Sequence, residues 1–181
     1  GVYMLEHSQG SGNSTVIFTD EGVVVLDFHI DNADQTLAFI RKTTDKKIKY
    51  LITSHSAGDH ASGAWHFRED APAWIATKNQ VHDLQMQERE EFLERKKSND
   101  PRYAAFQKGE PLTPTIAIDG PMTLYFGGLT FQITPEGRAH STGDLTVYIP
   151  QKRVMLMGDL LDTEIHPGQG ESGRVFYSNV S

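Results

Sequence analysis

The sequence predicts an α/β fold in which two sheets pack face to face with helices on the outside. Three observations carry this expectation. Short apolar strand segments occupy both ends of the chain, a strand–helix–strand unit lies in the first third, and a charged, helix-forming stretch from Lys78 to Ser98 separates the two strand-rich parts.

The elements follow in order. Val2 to Leu5 is a short apolar strand. Thr15 to Thr19 is a second, and the turn Asp20-Glu21-Gly22 leads into Val23-Val24-Val25-Leu26, a continuous apolar run of the kind found in strands covered on both faces. Asn32 with Gln35 reads as a capping box for a helix with Leu37 and Ile40 on one face, closed by the polar stretch Lys42 to Lys47. Ile48, Tyr50 and Ile52 mark the next strand, which ends at Thr53-Ser54. After the polar segment His55 to His60, Ala61 to Phe67 begins a helix, and Ala73 to Ala76 is a short strand. Lys78 to Ser98 is built mostly of strong helix formers, with Glu91 and Arg95 in the favourable i,i+4 order. Its apolar stripe of Val81, Leu84 and Phe92 is thin, so the helix is partly exposed, and Asn99-Asp100-Pro101 ends it. From Thr115 strands return. Leu124 to Phe126 and Leu129 to Phe131 flank Gly127-Gly128, a two-residue hairpin signal. Leu145 to Ile149, the turn Pro150-Gln151-Lys152, and Arg153 to Met157 form a second hairpin.

With 181 residues, one domain spanning the whole chain is expected, large enough to bury a core without staples. The net charge of −7 and the lack of a dense Lys/Arg stretch argue against nucleic acid and anionic membrane as partners. Cysteine is absent, which excludes disulfides and thiolate metal sites. No apolar run approaches the ~18 residues of a membrane span, so a soluble protein is expected.

Three polar clusters sit just beyond the ends of apolar strands. His55, Asp59 and His60 follow the strand ending near Thr53; His140 follows the strand Leu129 to Thr134 and a short loop; Asp159 follows the strand Arg153 to Met157. Neighbouring strands bring their ends together, so these loops can converge on one point. Imidazole and carboxylate are the ligands expected for zinc and non-haem iron. Taken singly, each residue has a plainer reading: His55 and Asp59 as helix caps, His60 as a first-turn residue, His140 and Asp159 as loop or turn residues bonded to backbone. Taken together, they are far less expected by chance.

The run Leu51 to Gly63, with His55-x-x-x-Asp59-His60, resembles the signature loop of the metallo-β-lactamase superfamily, which usually reads His-x-His-x-Asp-His. Gly137 to Pro150, with His140 and Gly143, resembles that family's next motif, and Val154 to Leu160, with Gly158-Asp159, the one after it; Val25-Leu26-Asp27 matches the usual opening. The resemblance implies an αβ/βα sandwich with metals at one edge of the sheets. It assigns His55 and His140 to a first metal position, Asp59 and His60 to a second, and Asp159 to a bridge between them. Zinc, as one or two ions, is the implied cofactor, ahead of iron or manganese. Two departures stand out. Ala57 occupies the place of the family's second histidine, and a methyl group offers no lone pair. The family's last histidine comes from a loop beyond Asp159, where His166 is read as structural or solvent-facing and the second sheet as lacking its final C-terminal elements.

The implied function is a zinc-dependent hydrolase using a metal-bound hydroxide on an ester, lactone, amide or related substrate, with Asp59 as the catalytic carboxylate. Two alternatives are a degenerate, non-catalytic binding module, for which Ala57 is the evidence, and an iron-binding oxidoreductase of the same fold. Family members of the latter kind carry a carboxylate at the Ala57 position, which argues against it.

Overall fold

A computed structural model describes residues 1–6 and 12–161 of the chain. Three short strands open it: β1 (Val2–Leu5), β2 (Ser14–Phe18) and β3 (Val23–Leu26). Helix α1 (Ala33–Thr43) then crosses to β4 (Ile48–Ile52). A one-turn helix α2 (Gly58–Ala61) and a 3₁₀ segment (Ala64–Asp70) lead to β5 (Ala73–Thr77). Helices α3 (Lys78–Gln85), α4 (Gln87–Lys97) and α5 (Ala104–Lys108) precede β6 (Ile116–Ile118). The rest is strand: β7 (Met122–Phe126), β8 (Leu129–Gly137), β9 (Asp144–Ile149) and β10 (Val154–Leu156).

These strands form a six-stranded sheet in the order β1-β2-β3-β4-β5-β6 and a four-stranded sheet in the order β10-β9-β8-β7. The first three strands pair antiparallel, and β3, β4, β5 and β6 run parallel, so helical crossovers join them. The four-stranded sheet is wholly antiparallel. Its hairpin at Gly127-Gly128 has both glycines at positive φ, 53° and 77°, the conformation a two-residue turn of this hand requires.

Every residue of β3 is buried because its two faces meet two different cores. Val24 and Leu26 join Ile52, Ile75, Phe131, Ile133, Leu145 and Val147 between the sheets. Val23 and Val25 join Ile40, Leu51, Phe67 and Trp74 beneath the helices. A third, small cluster of Ile30, Phe92 and Phe106 anchors the helical insert.

The structure corrects three local expectations. Asn32 is the N-cap of α1, but its side chain makes no capping bond; the amides of Asn32 and Ala33 donate instead to the His29 carbonyl, at 3.1 and 2.9 Å, in a turn that already serves the helix start. The helix expected from Ala61 is a single turn beginning at Gly58, followed by 3₁₀ geometry. The Lys78–Ser98 helix breaks at Met86 (φ −111°, ψ −98°). No helix breaker stands there in the sequence. Packing makes the break: α3 lies against the sheet with Leu84 buried, whereas α4 turns to bury Phe92 with Phe106 and Ile30. Among the described residues no helix is long and apolar enough to cross a membrane.

Phe131 is fully buried between the sheets. Phe131→Ala is expected to destabilise the fold by about 3–5 kcal/mol. Equilibrium urea unfolding should show a lower midpoint with an unchanged slope; a loss under about 1 kcal/mol would mean that this core does not hold the sheets together.

Candidate metal centre

The site lies at the C-terminal ends of β3 and β4, where the loops of the second sheet also arrive. Asp27 follows β3 in the left-handed region (φ 57°), which aspartate tolerates better than most residues. Its backbone N–H donates to the Ile52 carbonyl at 3.0 Å, joining the two strand ends. The residue is 2% exposed, and both side-chain oxygens are used. Oδ1 accepts from the Ser54 N–H at 2.7 Å, and Oδ2 accepts from the Ser54 hydroxyl at 2.8 Å. Oδ2 also lies 3.0 Å from His60 Nδ1.

This arrangement assigns the state of both signature-loop histidines. With Nδ1 of His60 held by Asp27, Nε2 turns inward, 3.2 Å from Asp159 Oδ1 and 3.6 Å from Asp59 Oδ2. The Ser54 hydroxyl gives its proton to Asp27, so at 3.1 Å from His55 Nδ1 it acts as acceptor. His55 therefore carries its proton on Nδ1 and presents a lone pair on Nε2. That nitrogen is buried and has no hydrogen-bond partner among the described residues. An orphaned buried acceptor demands a reason, and a cation supplies one.

His140 comes from the loop between β8 and β9. Asp144, at the start of β9, shapes that loop: it accepts from the amides of Ala139 and Ser141, at 3.2 and 2.8 Å, and from the Ser141 hydroxyl at 2.8 Å. The His140 ring lies 4.9 Å from that of His55, and its Nε2 is 3.6 Å from Asp159 Oδ2. Asp159 sits in the turn after β10, next to Gly158 at φ 53°. A Cβ on Gly158 would lie 2.4 Å from Ser54 Oγ, so only glycine lets this turn close onto the site.

Electrostatics follow from the same contacts. Burial, reinforced by the charge of neighbouring His60, lowers the His55 pKa to about 4 and leaves it neutral. His60 is more deeply buried, which opposes its charge, but Asp27 and Asp159 outweigh this and hold its pKa well above the usual value. Burial pushes Asp159 upward; hydrogen bonding to His60 and the surrounding imidazoles win and bring it down to about 2.

All five expected site residues thus lie around one point. His55, His60 and Asp159 offer ligand atoms within 4.8 Å of one another and could hold a metal ion. Asp59 stands at the rim, 45% exposed, and His140 at 24%. Ala57 is the N-cap of α2 and presents only its methyl group. The expectation for His166 falls outside the described residues. Of the other histidines, His82 is exposed and His66 packs its ring against Asp34. Sequence reasoning missed Asp27, Ser54 and Asp144 as supporting groups. The one signal available was an acidic residue directly after a wholly apolar strand, at Asp27.

The sequence profile of the metallo-beta-lactamase superfamily matches residues 7–171. The chain belongs to that superfamily. Solved structures agree on the fold. Metallo-beta-lactamase IND-7 is 20% identical with a TM-score of 0.68, over 90% of this chain and 67% of that one. A metallo-beta-lactamase from Pontibacter korlensis is 15% identical with a TM-score of 0.67, over 91% and 69%. A Cronobacter sakazakii metallo-beta-lactamase described by its HARLDQ motif is 18% identical with a TM-score of 0.65, over 87% of this chain and 58% of that one. The chain therefore spans little more than half the length of that Cronobacter protein.

Two predictions follow from the histidine assignments. At neutral pH His55 is neutral and Asp159 ionised, so neither loses a proton to an entering cation, whereas His60 must lose one. Zinc binding near pH 7 should release protons and strengthen as pH rises towards the His60 pKa; calorimetry in buffers of different ionisation enthalpy measures the release, and zero release would refute the assignment. Asp27→Asn should weaken zinc binding roughly 10–100-fold by disturbing the orientation of both histidines, read by competition with a chromophoric chelator.

Proposed function

We propose that this chain is a zinc-dependent hydrolase acting on an ester, lactone, amide or related small substrate. The observation that carries the reading is the His55 Nε2 lone pair, buried and without a partner among the described residues, beside His60 and Asp159. The donor set of imidazole and carboxylate suits zinc. His55 and His140 would hold a first zinc position and Asp59 and His60 a second, with Asp159 shared between them.

When bound, zinc supplies Lewis acidity and lowers the pKa of a coordinated water towards ~7. The chain's own groups do the rest. Asp27 and Ser54 keep both signature-loop imidazoles turned inward. Asp59, the most exposed carboxylate of the group, accepts the proton from the attacking water and orients it towards the substrate carbonyl. Asp159, held ionised between His60 and His140, offsets the positive charge of the site.

Ala57 favours a second reading, a non-catalytic binding module, because one usual ligand is missing. An iron-dependent oxidoreductase is the weaker alternative, because no carboxylate stands at residue 57.

Elemental analysis of metal-replete protein, followed by a screen of esters, lactones and β-lactams, tests the proposal. Zinc with turnover supports it; iron with visible absorption, or no metal at neutral pH, supports the alternatives. Asp59→Ala should lower turnover by about 10²–10⁴-fold while leaving the melting temperature nearly unchanged; wild-type turnover would remove Asp59 from the mechanism. Ala57→His should raise the zinc stoichiometry, and an unchanged metal count would mean that the first position is blocked or already filled.

A further inference from the structure

The first turn of α3 is bonded into the two loops that carry His55 and His140. Gln80 is its centre. The residue is fully buried, and its amide makes three hydrogen bonds that use both of its donors. Nε2 donates to the Ser54 carbonyl at 3.1 Å and to the Gly143 carbonyl at 2.7 Å, while Oε1 accepts from the Thr53 hydroxyl at 2.9 Å. Ser54 immediately precedes His55 on the loop from the six-stranded sheet. Gly143 lies on the loop from the four-stranded sheet, three residues beyond His140. One NH₂ group thus ties together the two loops that approach the site from different sheets.

Neighbouring side chains repeat the connection. Asn79 Nδ2 donates to the Thr142 carbonyl at 2.7 Å, and the Thr77 hydroxyl donates to the Gly143 carbonyl at 3.0 Å. Asp83 accepts from Ser56 Oγ at 3.3 Å and from Thr142 Oγ1 at 2.5 Å. A Cβ on Gly143 would lie 2.6 Å from Thr77 Oγ1, so the His140 loop is drawn as close to α3 as a backbone can come.

We propose that Gln80 is a positioning residue for the metal centre: by bonding the Ser54 and Gly143 carbonyls with one amide, it sets the separation of His55 and His140. The inference rests on the metal reading above. It matters more here than where the signature loop supplies a third imidazole, because with Ala57 the geometry on this side depends on two histidines from independent loops. Gln80 touches no ligand side chain; it acts through backbone, and its effect is on where the imidazoles stand.

Cobalt(II) titration of the wild-type chain and of Gln80→Met, nearly equal in volume but without donors, tests this. Gln80→Met is expected to stay folded by circular dichroism, to bind cobalt roughly 10–100-fold more weakly, and to show an altered visible ligand-field band. Phe131→Ala, destabilised in the core away from these loops, should keep the wild-type band, which separates positioning from a general loss of stability. If Gln80→Met fails to fold, Asn79→Ala, whose bond to Thr142 is at the surface, should show the same changes to a smaller extent. Wild-type affinity and band in the folded variant would overturn the inference and leave the metal reading intact. Failure of the wild-type chain to bind cobalt would overturn both.

Discussion

The pairing of Asp27 with Ser54 is the contact on which the site depends. Asp27 takes the amide and the hydroxyl of Ser54 on its two oxygens and holds His60 as well. Ser54 in turn accepts from His55 and gives its carbonyl to the Leu145 amide and to Gln80. Gly158 packs against its hydroxyl. Through these two residues the end of β3, the signature loop, the second sheet and the Asp159 turn are fixed to one another. A buried carboxylate is costly unless its oxygens are satisfied; here they are, and the same bonds that satisfy it decide which nitrogen of each histidine faces inward.

This accounts for a site made of groups with opposite tendencies. Two imidazoles and a carboxylate stand close together, yet burial leaves His55 neutral while Asp27 and Asp159 keep a proton on His60.

The helical insert supports the same centre. Its first helix is tied to the ligand loops by Gln80, Asn79 and Asp83, and its second helix comes against Gly58, where an added Cβ would lie 3.0 Å from Arg95 Nη1. Variation in this insert is expected to change the geometry of the centre along with access to it.

The strands, the hairpin at Gly127-Gly128 and the cluster of ligand-type residues at strand ends could all be read from the sequence, because alternation, glycine chemistry and residue type are local properties. The family resemblance rested on the same short motifs. Tertiary structure alone decided the break at Met86, where two different apolar surfaces pull one helix-forming stretch apart, and the unused side-chain cap at Asn32. It alone decided the roles of Asp27, Ser54, Asp144 and Gln80. The contacts that join Asp27 to Ser54 and Gln80 to both ligand loops span long sequence separations, and nothing in a polar residue's immediate neighbours says whether its partner lies in water or in a loop from the opposite sheet.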